Sequence, residues 1–540
     1  MSKVLVVYCL LYDDKDNRVL MVYNKDTESW SLPGGVVEDT ETLEQAVLRE
    51  VHEETDLMVE IKDLVAVNEY IFPDNRQHTV LFTFRGEIVG GYFMLICYSF
   101  RNFRSFRKTT QLSMKAGRQT TYNENLIKEA GMRILPSAVI YGANASGKTN
   151  IIMSLALMRE IVSWGTLDAS SPYLANMELY PFAYNPEPEP VQFQAEFINN
   201  GRRYLYSIEV MVKPFQKDKR KIVSEQLWVN SGNKLIQVFE RDLHRVAIKR
   251  DRKVLSLIQY DEKLLAEFEN RININLDPAK LFLAHGFKTL ISSDMADDVI
   301  DFFTNKLFVI NDFALSELNI SLMFSEIPEE GAFIWNDILD RFIKCADFGP
   351  QKIVFKPQEK EGKSFTDVQL YSLYMPNGLE KPIMIPAEWM ESRGTLKLLD
   401  FAIPFTDIFK AGGVFVLDEF DAVIHPELIK GIIALFNDRS FNEKGAQLIF
   451  TTHNPIYMSN RIFRRDQIKF VERDKDTYES TIHSLADFGS EEVRNDENYL
   501  INYFRGKYST LPYIDFKRLF NLPDNVQDPS AGRVPRKPGR

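Results

Sequence analysis

The sequence predicts an α/β protein. A phosphate-loop nucleotide-binding domain, with a β-rich subdomain and a helical insertion, follows a short α/β domain. Three observations point there. In "YGANASGKTN", residues 141–150, Gly142 is followed by four residues and then Gly147-Lys148-Thr149, between an apolar run and the helical stretch "IIMSLALMREIV". Two later apolar runs end in chemistry-bearing residues, Val414 to Leu417 before Asp418-Glu419 and "AQLIFTT" before His453. Ahead of these, residues 35–57 carry glutamates at helical spacing.

A chain of 540 residues is too long for one core and predicts two or three domains. Hydrophobic residues at 45% and charged residues at 26% describe a globular protein. The net charge of −11 argues against a strongly basic nucleic-acid binder, while a local basic groove stays open. Cys9, Cys97 and Cys345 are far apart and form no C-x-x-C, so the expectation is reduced thiols in a cytoplasmic protein, not a zinc site or disulfide framework. The start, "MSKVLVVYCLLYDDKDNR", reads as a strand rather than a signal peptide. No apolar run is long enough for a membrane span, so none is expected.

Residues 1–92 read as strands around one helix. "KVLVVYCLLY" and "RVLMVYN" are strand-like with a charged turn between them, and "HTVLFTFRGEIV" is a further strand. "TLEQAVLREVHEET" places Leu43, Ala46, Val47 and Val51 at helical spacing. Gly90-Gly91 punctuates the chain, and a fresh strand begins at Met94, so the second domain is placed at 93–521. Within it, 190–260 alternates like strands, and about 262–345 reads as a mainly helical insertion. The segment 522–540, rich in Pro, Gly and charge, reads as a disordered tail. No heptad array supports a coiled-coil arm.

The residues of the second domain suggest phosphate chemistry. Backbone N–H groups of Gly142, Asn144, Ala145, Ser146 and Gly147 would ring a β-phosphate, helped by the helix N-terminus that follows. Lys148 would reach the β- and γ-phosphates, and Thr149 would ligate Mg²⁺. Asp418, at the end of a buried strand, would hold Mg²⁺ through water, and Glu419 would polarise the attacking water. His453 ends a further strand and reads as a γ-phosphate sensor. Acids at strand ends are usually solvated and lone histidines usually structural, so the combination carries more weight than any member. Ser392, Gly394 and Thr395 precede the helical pattern Leu396, Leu398, Leu399, Ala402. Such a start serves as an anion site or as an ordinary N-cap, and the residues alone leave both open.

The order of these motifs resembles that of ABC-type ATPases. More narrowly, "MLICYSFRNFRSFRKTTQLSM", "YGANASGKTNIIMSLALM", "ESRGTLKLL", "VLDEFDAVIHPEL", "TTHNP" and "NYFRGKYSTLPYIDF" resemble the stand-alone AAA-type ABC ATPases related to RecF and OLD proteins, over roughly 94–520. The resemblance implies an enzyme using ATP and Mg²⁺, closing as a nucleotide-sandwich dimer or higher oligomer. Ser392 and Gly394 would then complete the site of the opposite subunit. His425 stands where transporters carry the D-loop aspartate, and Gln192 and Gln194 are candidates for the Q-loop glutamine. Such ATPases sit in bacterial anti-phage systems of the abortive-infection, Septu, retron-linked and PARIS types. The resemblance therefore implies a separate Toprim or HNH effector nuclease as partner, and a DNA or phage-derived trigger.

From Gly35 to Leu57 the chain reads G-x5-E-x7-R-E-V-x-E-E-x-D-L. Glu50, Glu53 and Glu54 fall on one helix face, where crowded carboxylates gain from a divalent cation. A solvated acidic helix is the plainer alternative. With the preceding "WSLPGG", this stretch resembles the Nudix box, Asp56 standing in place of the final glycine. The resemblance implies a Nudix-like fold with Glu50, Glu53 and Glu54 as metal ligands. The segment is short for such a domain, and its hydrolytic activity is left open.

Three functions follow. The first is an anti-phage defence ATPase that controls an effector nuclease. The second is a RecF-like DNA-repair ATPase, which a salt-dependent DNA affinity would favour. The third is a Nudix nucleotide pyrophosphatase regulated by the ATPase domain, which metal-dependent release of pyrophosphate or a nucleoside monophosphate by residues 1–93 would favour.

Overall fold

The computed structural model describes residues 2–508 apart from 14–17, 25–28, 39–40, 56, 58, 73–76, 89–91, 130, 169–177, 213–219, 233, 259–261, 292–293, 311–333, 336, 347–348, 359–366, 379–380, 423, 490–492 and 494–496. Asp56 and the segment 522–540 lie outside the described residues.

In the N-terminal part, the strand Ser2–Asp13 runs parallel to Gln77–Ile88 and antiparallel to Gly34–Val36 and Arg18–Val19. Val7, Cys9 and Leu11 alternate along it and so share one face. The helix Leu43–Thr55 covers that face, burying Ala46, Val47 and Val51 against them and Phe84. "RVLMVYN" does not form one strand. It breaks at Leu20-Met21 into Arg18–Val19 and Val22–Asn24, and the second piece pairs with Ser29–Ser31. A 14-residue strand, Val59–Phe72, completes the sheet beside Gln77–Ile88.

Met94–Arg101 opens a seven-stranded antiparallel sheet with Thr110–Ser113, Val191–Asn199, Arg202–Met211, Lys221–Ser231, Lys234–Asp242 and Val246–Ile248. A second sheet has the order Leu307–Ile310, Val414–Leu417, Gln447–Thr451, Ser137–Gly142, Ile468–Arg473, Ser480–Ser484. Its first five strands are parallel and the last is antiparallel. The phosphate-loop strand is thus central, and one strand separates it from the strand leading to Asp418. With Ile140 opposite Thr451 and Leu417 opposite Phe450, the C-terminal ends of all three lie along one sheet edge, where α/β proteins place their ligands.

The region about 262–345, read as mainly helical, also contains strands. Helices Glu262–Ile274, Asp294–Asp301 and Asp337–Cys345 are there, but Leu307–Ile310 is an edge strand of the parallel sheet. Four apolar residues carry no periodicity that separates strand from buried helix. The neighbour, Val414–Leu417, decides it. A further antiparallel sheet of Ile334–Trp335, Lys352–Gln358, Asp367–Tyr374 and Ile383–Pro386 precedes the next helix.

Gln447 ties the two large sheets together. Its side chain is fully buried; Oε1 accepts from the Leu95 N–H at 2.6 Å, and Nε2 donates to the carbonyls of Leu95 and Leu135, both at 3.0 Å. Gln447→Ala strands these buried backbone groups. It is expected to lower the unfolding free energy by about 3 kcal/mol, measured by urea denaturation.

Candidate functional site

The strand Ser137–Gly142 is buried at every position, and the helix Lys148–Trp164 begins just after the loop. Two glycines are required by close approach. A Cβ on Gly142 would lie 2.5 Å from Ser146 Oγ and from the Val471 carbonyl oxygen, and one on Gly147 would lie 2.9 Å from Ser105 Oγ and Ser480 Oγ. Gly147 also has φ +114, and Ala145 takes the left-handed conformation at φ 60. The loop is pinned from outside: Ser480 Oγ donates to the Ser146 carbonyl at 2.6 Å, while Ser480 N–H donates to the Ser105 carbonyl at 2.7 Å. No sequence signal marked Ser480, since it is brought in from 334 residues away. Asn144 is exposed on the loop and Thr149 in the first turn of the helix.

Lys148 folds back over the loop. Its Nζ donates to the carbonyls of Gly142 at 3.0 Å and Ala143 at 3.2 Å. Burial pushes the ammonium down to about 8, against the opposing pull of Asp418 and Glu419.

Thr451 organises the two carboxylates. Its Oγ1 donates to Asp418 Oδ1 at 2.5 Å and accepts from the Glu419 N–H at 2.8 Å. The Asp418 N–H donates to the Ile310 carbonyl at 2.9 Å, so the edge strand also fixes this turn. Burial raises the Asp418 carboxyl above its usual range, while hydrogen bonds from Thr451 and Thr149 pull it back. Glu419 sits at φ 49, an unusual conformation for a non-glycine residue, stabilised here by the Thr451 bond. Its carboxylate is half exposed, with Oε1 3.8 Å from His453 Nε2. Burial and Lys148 hold the His453 imidazole below its ordinary value despite the nearby acids. The structure therefore brings together Lys148, Thr149, Asp418, Glu419 and His453. It adds Asp421, which sequence reasoning missed: burial raises its carboxyl, Thr452 bonds it, and it is charge-coupled to His453. The Thr149 hydroxyl and Asp418 carboxylate, already in mutual contact, are hard oxygen donors of the kind that suits Mg²⁺.

Other residues lie elsewhere. Ser392 is the N-cap of the helix Arg393–Ala411, its Oγ accepting from the Thr395 N–H at 3.1 Å, and Gly394 is in the first turn. Among the described residues, no hydrogen bond or ion pair joins Ser392, Gly394 or Thr395 to the phosphate loop. His425 caps the helix Pro426–Asn437, Nδ1 accepting from the Glu427 N–H at 3.3 Å. Gln192 and Gln194 lie within the strand Val191–Asn199, opposite Arg101 and Ser99.

On the N-terminal helix, Arg49 bonds Glu41 Oε1 at 2.7 Å, Glu50 at 2.9 Å and Glu53 at 3.3 Å, and Glu54 Oε2 accepts from the Gly34 N–H at 2.9 Å. Gly35 lies against Glu50, whose Oε1 would be 2.3 Å from a Cβ there. Among the described residues, no three acids, histidines or cysteines are disposed to hold a metal ion. Glu50, Glu53 and Glu54 share a helix face, but Arg49 and Gly34 engage their oxygens. Their oxygens suit a hard cation chemically, and an ion would displace these bonds.

The family described as "AAA domain, putative AbiEii toxin, Type IV TA system" matches residues 137–459, and the NUDIX domain family matches residues 2–95. An ADP-ribose pyrophosphatase of Methanocaldococcus jannaschii is 38% identical over 81 residues, 14% of this chain and 48% of that protein. A MutT-like protein of Streptomyces ambofaciens is 39% identical over 77 residues, 14% of this chain and 47% of that protein. The solved structure of a NUDIX hydrolase from Nitrosomonas europaea is 25% identical, covering 16% of this chain and 60% of that one, with a TM-score of 0.15. The chain spans about half the length of the curated relatives it matches. Among the described residues, no helix is long and apolar enough to cross a membrane.

Lys148 supplies a pH-dependent prediction. Its folded value of about 8 lies below the usual 10.5, so between these the unfolded chain binds more protons and stability rises with pH. Lys148→Met removes the disfavoured charge. In thermal-shift measurements it should melt above wild type at pH 7, with the gap narrowing from about pH 8 to 10.5. A lower melting point at pH 7 would mean that the bonds to Gly142 and Ala143 outweigh the desolvation.

Proposed function

The chain belongs to the AAA domain family, and we propose from this that it is an ATPase whose hydrolytic centre is Lys148, Thr149, Asp418, Glu419 and His453. One observation carries the proposal. Thr451 holds a buried Asp418 and a half-exposed Glu419 side by side, next to Lys148 and His453. Lys148 leaves the carbonyls of Gly142 and Ala143 for the β- and γ-phosphate oxygens, and the backbone N–H groups of the loop take the remaining charge. Glu419 orients a water and takes its proton as the oxygen attacks the γ-phosphorus. The bond to the bridging oxygen breaks, and ADP and phosphate are the products. His453 is within reach of Glu419 and donates to a γ-phosphate oxygen. Mg²⁺ held by Thr149 and Asp418 would neutralise phosphate charge.

The same reading places a second copy across the nucleotide. Ser392 and Gly394 start a helix that, among the described residues, makes no hydrogen bond to its own phosphate loop, which suits a role at the site of another subunit. The family description names a putative toxin of a Type IV TA system, which supports a role in bacterial conflict. On this reading the ATPase is the sensing subunit of an anti-phage defence system, and a separate Toprim or HNH nuclease is the effector. A second reading concerns residues 2–95. Their NUDIX match and the named activities of the curated relatives favour binding of a nucleoside diphosphate derivative. Arg49, engaging Glu41, Glu50 and Glu53, favours slow turnover at that helix.

Two experiments test the centre and its assembly. Lys148→Ala should lose ATP binding. Glu419→Gln should bind ATP while phosphate release falls at least about 100-fold. Wild-type turnover in Glu419→Gln would sink the assignment. Mixing Lys148→Ala chains with Ser392→Arg chains should restore turnover at one of the two composite sites. Absence of rescue in verified mixed dimers would overturn the shared site.

A further inference from the structure

A cavity of about 1540 Å³ lies between the NUDIX segment and the seven-stranded sheet with its adjoining helices. It is larger than a usual small-molecule pocket and has room for a nucleotide with its counter-ion and water. On one side stand Glu54, at the end of the acidic helix, and the apolar stretch from Leu20 to Tyr23, with Met21 41% and Tyr23 45% exposed. On the other side are two hairpin tips, at Asn200-Gly201 and Ser231-Gly232, with φ values of 50°, 72° and 59° at Asn200, Gly201 and Gly232. Beside them stand Arg202, Arg252 and Lys253.

The charges on this second wall are not all spent locally. Asp298 is engaged by Asn200 Nδ2 at 2.6 Å, by Tyr204 OH at 2.5 Å and by Arg202 at 3.8 Å. Among the described residues, Arg252 and Lys253 are exposed and have no ion pair. Arg252 and Lys253, beside Asp294 and Asp298 on their own wall, therefore stand opposite Glu54 and the exposed Tyr23 in a cavity that neither domain forms alone. Cations on one wall recognise phosphate oxygens, and an aromatic face on the other offers a stacking surface for a base.

We propose that this cavity is a composite binding site for a nucleoside diphosphate derivative, its phosphates held by Arg252 and Lys253 from the AAA part and its base by the wall at Tyr23. The site rests on the nucleotide reading of the NUDIX segment and not on the ATPase reading. Its ligand bridges the two domains, so its binding links their positions. The AAA part thereby supplies a wall that the short NUDIX segment does not contain.

The test uses the full chain carrying Lys148→Ala, so that the phosphate loop contributes no binding. ADP-ribose and inorganic pyrophosphate, each with Mg²⁺, are titrated calorimetrically. Both should bind, ADP-ribose more tightly because of the aromatic wall. Adding Arg252→Glu and Lys253→Glu together should weaken both at least about tenfold. The same pair in a chain with Lys148 intact should keep ATP turnover and melting temperature, which establishes folding. Unchanged affinity after the charge reversal overturns the composite site and leaves the NUDIX reading standing. Failure of both probes to bind the parent chain overturns both.

Discussion

The buried strand Gln447–Thr451 is the constraint on which the AAA part depends. It lies between the phosphate-loop strand and the strand leading to Asp418, and it does different work at its two ends. At its start, the Gln447 side chain satisfies backbone groups of Leu95 and Leu135 and joins the parallel sheet to the antiparallel one. At its end, the Thr451 hydroxyl fixes Asp418 and the backbone of Glu419. A shift of one residue would exchange every side chain between faces and separate the carboxylates from the loop. Because the strand is buried throughout, such a slip would also move Gln447 and Thr451 away from the buried groups they satisfy, so packing and site geometry are enforced together.

Within that frame the site concentrates groups that the fold would otherwise avoid. Lys148 is pushed down, Asp418 and Asp421 up, and His453 down, each chiefly by burial. Each therefore pays desolvation that its neighbours only partly offset. The left-handed Glu419 adds local strain. Perturbed groups gathered at one sheet edge mark a place built for a highly charged ligand rather than for stability. The two glycines of the loop are needed for its packing, since a Cβ at Gly142 would strike Ser146 and Val471 and one at Gly147 would strike Ser105 and Ser480.

The N-terminal segment follows a different rule. Its core is small, one helix against one sheet face, and carboxylates of its acidic helix are engaged by Arg49 and the Gly34 N–H. The cavity beside it is lined on the AAA part by the cations Arg252 and Lys253 together with Asp294 and Asp298. The cavity beside that segment is lined by residues of both parts of the chain.

Much of this was legible in the residues. The G-x-x-x-x-G-K-T spacing, the apolar runs before Asp418 and His453, and the helix with Glu50, Glu53 and Glu54 are local patterns, set by strand and helix periodicity and by glycine's freedom of conformation. The residues alone left Ser392 open between N-cap and anion site; the structure shows the cap. What sequence could not supply is every contact made across long separations. Leu307–Ile310 is a strand only because Val414–Leu417 runs beside it. Ser480 pins the phosphate loop, Thr451 clamps two carboxylates, and Asp421 joins His453, all through side chains with no distinguishing spacing. A short run or a single hydroxyl carries no period to read. Its role is decided by which strand the tertiary structure lays next to it, because hydrogen bonds and burial act through space and not along the chain.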